Sequence, residues 1–229
     1  MSPPRQSEAI ATSMLQAFTS GFVDTLGFVA LFGLFTAHVT GNFVLVGAAV
    51  ANGHPGVIGK LLALPMFVIG VAGTRACLLS LERKQRALAV PVVALELVLL
   101  LAFALAGAWA QPFGSADSWP TIAVGMLGVL TMAVQNTASR LTFSQLGPTT
   151  VMTGNVTQLV IDLVDLMSGA AAPGTQERMQ KMWPAVIAFA IGAVSGGLGY
   201  RLLAFWSLLV PAVALVLTLL RVRPSRIRN

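Results

Sequence analysis

The chain has 229 residues, 56% of them hydrophobic and 10% charged, with a mean hydropathy of +0.82. About a quarter of a soluble domain's residues are charged, so this composition excludes a water-exposed globule and predicts a protein whose main partner is the lipid bilayer. The net charge of +6 comes from few, scattered Lys and Arg without interleaved aromatics, which argues against nucleic acid and reads as a topology signal.

Cys77 is the only cysteine, so intrachain disulfides and cysteine-held metal centres are excluded. The first eleven residues lack the order of a signal peptide, and the first helix is expected to insert as its own uncleaved signal. Hydrophobic segments follow at 12–34, 35–52, 58–81, 87–110, 119–140, 149–167, 183–203 and 205–221, the sixth being the least apolar. Short polar breaks separate them, the longest at 168–181. The predicted fold class is an all-α integral membrane protein, one membrane domain over 1–229.

The segments repeat. Thr40-Gly41-Asn42 returns as Thr153-Gly154-Asn155, 113 residues later, and Asp24 is matched by Gln135-Asn136 at a spacing of 112. Phe67-Val68-Ile69-Gly70 matches Phe189-Ala190-Ile191-Gly192 at 122, and Pro91-Val92-Val93-Ala94-Leu95 matches Pro211-Ala212-Val213-Ala214-Leu215 at 120. Four matches in one order, with a jump where the 168–181 loop is inserted, predict two repeats, 12–110 and 119–221.

The basic residues choose the topology. If all eight segments cross, the better orientation divides twelve informative Lys and Arg eight against four; Arg75 and Arg201, inside segments, are set aside. If the second and sixth segments are re-entrant, the division becomes eleven against one, with Lys60 the exception, which the positive-inside rule prefers. This predicts an inverted repeat of three crossing helices plus one re-entrant half-helix per repeat, with both termini cytoplasmic.

Irregular backbone at membrane depth survives only where protein or a wet cavity surrounds it. Thr, Gly and Asn suit such a break: glycine permits close approach, and the Thr and Asn side chains are expected to cap the helix that follows. The site expected to bind solute is therefore Thr40, Gly41, Asn42, Thr153, Gly154 and Asn155, with Gln135 and Asn136 supplying uncharged polar groups. The competing reading makes each triplet a helix-packing notch.

Asp24 lies midway along an apolar helix, where an ionised carboxylate costs about 2.5 to 3.5 kcal/mol on insertion scales. It should face the interior, either as a proton-coupling group or as an acceptor for the unwound backbone nearby. His38 has Val151 as its counterpart and stands outside the duplicated framework; it is an ion-coupling candidate or a polar packing residue. Glu96, matched by Val216, is a buried partner or a pore-facing residue. Asp162 and Asp165 read as a solvated helix end rather than a metal pair, and Arg75 and Arg201 as snorkelling cations. No phosphate loop, HExxH, nucleophile elbow or triad pattern occurs, so no enzyme chemistry, cofactor or metal is expected.

Gly21-Phe22-Val23-Asp24 followed by Thr40-Gly41-Asn42, with the weaker copy Gln135-Asn136 and Thr153-Gly154-Asn155, resembles the YoaK family of bacterial inner-membrane proteins. The resemblance implies about six transmembrane helices, an inner-membrane location and a family without an assigned function. The opposed half-helices also look like the core of uracil-permease and sulfate-permease carriers, an analogy that transfers no residues. The function expected is secondary transport of a small polar or anionic solute, proton-coupled through Asp24; the alternative is a non-transporting scaffold or partner-binding subunit. Homo-oligomerisation is left open.

Overall fold

The computed structural model describes residues 6–146, 149–150 and 152–222. Its α-helices are α1 (Gln6–Ala30), α2 (Gly41–Asn52), α3 (Val57–Arg83), α4 (Ala89–Ala110), α5 (Trp119–Leu141), α6 (Met152–Ser168), α7 (Thr175–Leu203) and α8 (Leu209–Arg221), the last two joined by a 3-10 turn, Ala204–Leu208. These elements follow the hydrophobic segments one for one. Pro91 and Pro211 each occupy the third position of their helix, where the missing N–H has no intrahelical acceptor to lose.

Helices α3, α4, α5 and the stretch Thr175–Arg221 are long and apolar enough to cross a membrane. Val68, Ile69, Val98, Leu105, Val194, Leu198 and Leu202 are each more than half exposed, an apolar surface suited to lipid rather than water. At 25 residues α1 spans about 37 Å, but Thr12, Ser13, Gln16, Thr19, Ser20 and Asp24 are buried along it. Its lower hydropathy records a polar face turned into the protein. α2, with 12 residues, reaches only about 18 Å.

Close contacts fix the helix directions. Gly192 and Gly196 of α7 lie against Phe18 and Phe22 of α1, so this pair is parallel; a Cβ at either glycine would overlap a carbonyl oxygen of α1. Gly59 and Gly70 of α3 lie against Ile122 and Ala133 of α5, a second parallel pair. Between α1 and α5 the order reverses: Gln16 meets Gln135, whereas Leu31 and Leu34, just past the end of α1, meet Gly125. α1 and α5 are antiparallel.

α1 packs on α7 and α8, α5 on α3 and α4, α2 on α3, and α6 on α7. Exchanging the first four helices for the last four carries this set of pairs onto itself. The start of α3 sits beside the end of α1, where Lys60 Nζ donates to the Phe32 carbonyl at 3.0 Å and to the Gly56 carbonyl at 2.8 Å. Asp117, just ahead of α5, accepts from the Gly56 and Ile58 N–H groups at 2.8 and 3.1 Å. The end of α1 and the starts of α3 and α5 therefore share one side of the molecule.

Candidate functional site

After α1 the chain is non-helical from Leu31 to Thr40. Phe32 and Gly33 take positive φ values of 54° and 81° and turn the backbone back along α1. Asp24 holds the returning strand: its Oδ1 accepts from the Thr36 and Ala37 N–H groups, both at 2.7 Å, and from the Thr36 hydroxyl at 3.3 Å. Its Oδ2 lies 2.6 Å from His38 Nδ1. Of the two roles weighed for this carboxylate, the contacts are those of the acceptor for unwound backbone.

Asn42 does not cap α2. Its side chain pairs with the backbone of Phe35 in both directions, accepting from the N–H and donating to the carbonyl at 2.9 Å each. Thr40 makes no side-chain cap either. The first N–H groups of α2 turn instead to the carbonyls of His38, Val39 and Thr40, because a tight turn leads directly into the helix.

The second break is described at Thr149, Thr150 and α6. Thr150 donates to Asn136 Oδ1 at 2.7 Å, and Ser139 Oγ accepts from the Thr149 N–H at 3.2 Å. Asn136, which the sequence spacing of 112 matches to Asp24, thus ties the chain ahead of α6 to α5. Asn155 is buried and approaches Met152 Sδ at 3.7 Å, while Thr153 and Gly154 are exposed on α6. Gln135 is fully buried and donates to the Gln16 carbonyl and side-chain oxygen at 2.6 and 2.8 Å.

A cavity of about 540 Å³ opens beside the first break. Its walls are residues 37–40, the Leu64–Arg75 face of α3 and the end of α5 from Asn136 to Leu141. Of the residues selected from sequence, it gathers His38, Thr40 and Asn136; Gly41, Asn42, Gln135, Thr153, Gly154 and Asn155 do not line it. Leu64, Phe67, Val71 and Leu141 make much of the wall apolar, and no carboxylate lines it among the described residues.

Two cations on this wall escaped the sequence reading. Arg75, expected to snorkel, lines the cavity and donates to Glu82 Oε1 at 2.9 Å. Arg140, used only as a topology marker, lines it with no hydrogen-bond or ion-pair partner among the described residues. A charge inside the apolar stretch 58–81 was the available signal. His38 sits between the ring edges of Phe35 and Phe189, at centroid distances of 6.2 and 5.8 Å. Asp24 engages its Nδ1 and leaves Nε2 as the other ring nitrogen. The chemistry on offer is an apolar pocket with a positive, hydrogen-bonding end, which suits a small anion.

Asp162, expected at a solvated helix end, is instead buried and paired with Arg178, whose Nε donates at 2.8 Å. Gln158 adds a bond at 2.8 Å. This pair fastens α6 to the start of α7.

Residues 12–221 match a family model described as "Protein of unknown function (DUF1275)". The chain is 31% identical over 155 residues to UPF0700 transmembrane protein YoaK of Bacillus subtilis (strain 168). That match covers 65% of this chain and 64% of the relative, less than two thirds of the relative's length. No solved structure matches the chain.

Proposed function

The chain is a membrane protein belonging to the DUF1275 family, and from that premise we propose that it is a secondary transporter of a small anionic solute, with the cavity at the first break as its binding site. The observation that carries this reading is the juxtaposition of Arg75, Arg140, His38, Thr40 and Asn136 around one pocket with no carboxylate among its described lining residues. A desolvated anion needs such donors, and the apolar wall excludes competing water. The anion takes its charge partners from the two arginines and its orientation from Thr40 and Asn136. His38, held by Asp24, is the protonatable group of the pocket, so that solute and proton move together.

Architecture supports the same reading. A half-length α2 that leaves the end of α1 and returns beside it, together with antiparallel α1 and α5, fits an inverted repeat with re-entrant second and sixth helices. In that frame the cavity opens toward the face that carries Arg83, Lys84 and Arg86, the cytoplasmic face under the positive-inside rule.

Counterflow in proteoliposomes tests the proposal, using a panel of labelled small carboxylates and inorganic anions. Saturable exchange of at least one anion is expected, weakened by about tenfold or more in affinity, or about 1.4 kcal/mol, by Arg140→Gln. Arg75→Gln should act in the same direction, because its exposed ion pair with Glu82 contributes little to folding. Absence of exchange for every anion, with a well-folded protein stabilised only by a partner protein, would point to the scaffold instead.

A further inference from the structure

We propose that Glu96 is a proton-binding site, a neutral carboxylic acid held in a closed polar cluster between α1, α4 and α5. Glu96 is the only charged residue of α4 and is fully buried, and neither carboxylate oxygen has a hydrogen-bond partner among the described residues. The Gln16 side chain lies beside it. On α1 the Gln16 amide nitrogen and the hydroxyls of Ser13, Thr19 and Ser20, and on α5 Gln135 Oε1, are likewise buried without hydrogen-bond partners among the described residues. At 100° per residue, Ser13, Gln16, Thr19 and Ser20 fall on one side of α1. The bonds from Gln135 to Gln16 bring α5 against that side.

These neighbours can hydrogen-bond a carboxyl group, but none can cancel its charge. An ionised carboxylate in a dry interior is penalised unless a cation meets it. No cation does. Among the elements packed on α4, Arg140 of α5 lines the cavity and Arg221 of α8 bonds the Leu217 carbonyl, while the 204–208 turn carries no charge. On α1, Asp24 is committed to His38 and the first break, and Glu8 is exposed near the helix start. A proton therefore neutralises Glu96, and the surrounding hydroxyls and amides supply the acceptor for its O–H.

The cluster adjoins the cavity across α5, since Gln135 belongs to the first and its neighbour Asn136 to the second. Asp24 already accepts from three donors and pairs with His38, and Asp162 is paired with Arg178, which leaves Glu96 as the buried carboxyl with no charged partner among the described residues. Its protonation stands without the transporter reading; its use as a second coupling proton beside that of His38 rests on that reading.

Infrared spectroscopy of the full chain in lipid nanodiscs tests this, with carbon-13 placed at glutamate carboxyls only. In sodium-free buffer at neutral pH, a protonated-carboxyl carbonyl band is expected that shifts with the label, is absent in Glu96→Gln and persists in Asp24→Asn. Should Glu96→Gln fail to fold, the labelled wild-type chain decides alone, because Glu8, Glu82 and Glu177 all reach solvent. Absence of a glutamic-acid band, a band unchanged by Glu96→Gln, or one abolished by added sodium would overturn the proposal, the last in favour of a cation site. A Glu96-dependent band in a protein that exchanges no anion would keep the proton site and remove the transporter.

Discussion

Asp24 performs for the first break what a partner strand performs in a sheet, pairing the backbone N–H groups of Thr36 and Ala37 that no helix satisfies. Asp24→Ala would leave both donors buried and unpaired, at about 1 to 3 kcal/mol for each. We expect Asp24→Ala to lower unfolding free energy by about 2 to 6 kcal/mol, measured by reversible unfolding in mixed micelles. Asp24→Asn should lose less, because an amide oxygen still accepts from the same two N–H groups. Equal losses for both variants would show that the charge, through His38, matters more than the acceptor. A polar residue in an apolar helix advertised this role in the sequence. Lys60 did not: it counts there as the lone violation of the charge rule. Its commitment to the Phe32 and Gly56 carbonyls depends on α3 starting beside the end of α1, which no local pattern states. The pocket roles of Arg75 and Arg140 were hidden for a similar reason: each is a charge at or inside an apolar helix, but nothing in the sequence of α3 or α5 tells which side meets the pocket.

At the scale of elements, the helices were legible because each is an apolar run closed by a polar break, and the shortness of α2 followed from the Thr-Gly-Asn break at its start. The Asn42 contact was not, because it reaches back seven residues to Phe35 rather than forward into its own helix. Nor was the glycine contrast. Gly192 is an interface residue whose Cβ would overlap the Phe18 carbonyl, whereas a Cβ at Gly47 on α2 meets nothing. Gly192→Leu should push α1 and α7 apart and cost about 1 to 3 kcal/mol or more. Gly47→Ala should instead stabilise by about 0.5 to 1 kcal/mol, since alanine loses less backbone freedom in a helix interior. Parallel thermal melts of the two variants check both signs. A destabilising Gly47→Ala would mean that another surface covers α2 in the membrane.

At the scale of the molecule, spacing pointed to a duplication, and only charge pointed to the direction of each helix. The contacts add an independent argument: α1 and α5 are antiparallel, and α3 begins where α1 ends. A second helix crossing the whole bilayer would carry the start of α3 to the opposite side from the end of α1, out of reach of the Lys60 bond to Phe32. The labelling prediction follows. With exposed Cys77 replaced by serine, cysteines at Gln85, Gln145 and Gln176 should react with an impermeant reagent only from the cytoplasm, and those at Gly53 and Ser115 only from outside. A cysteine at Ser225, beyond the described residues, should join the cytoplasmic set. Gly53 and Gln176 are the decisive pair, because eight full crossings put both on one face and six put them on opposite faces. If they label together, the re-entrant reading fails, and the cavity between the first break, α3 and α5 loses its place as a pocket opening toward the cytoplasm.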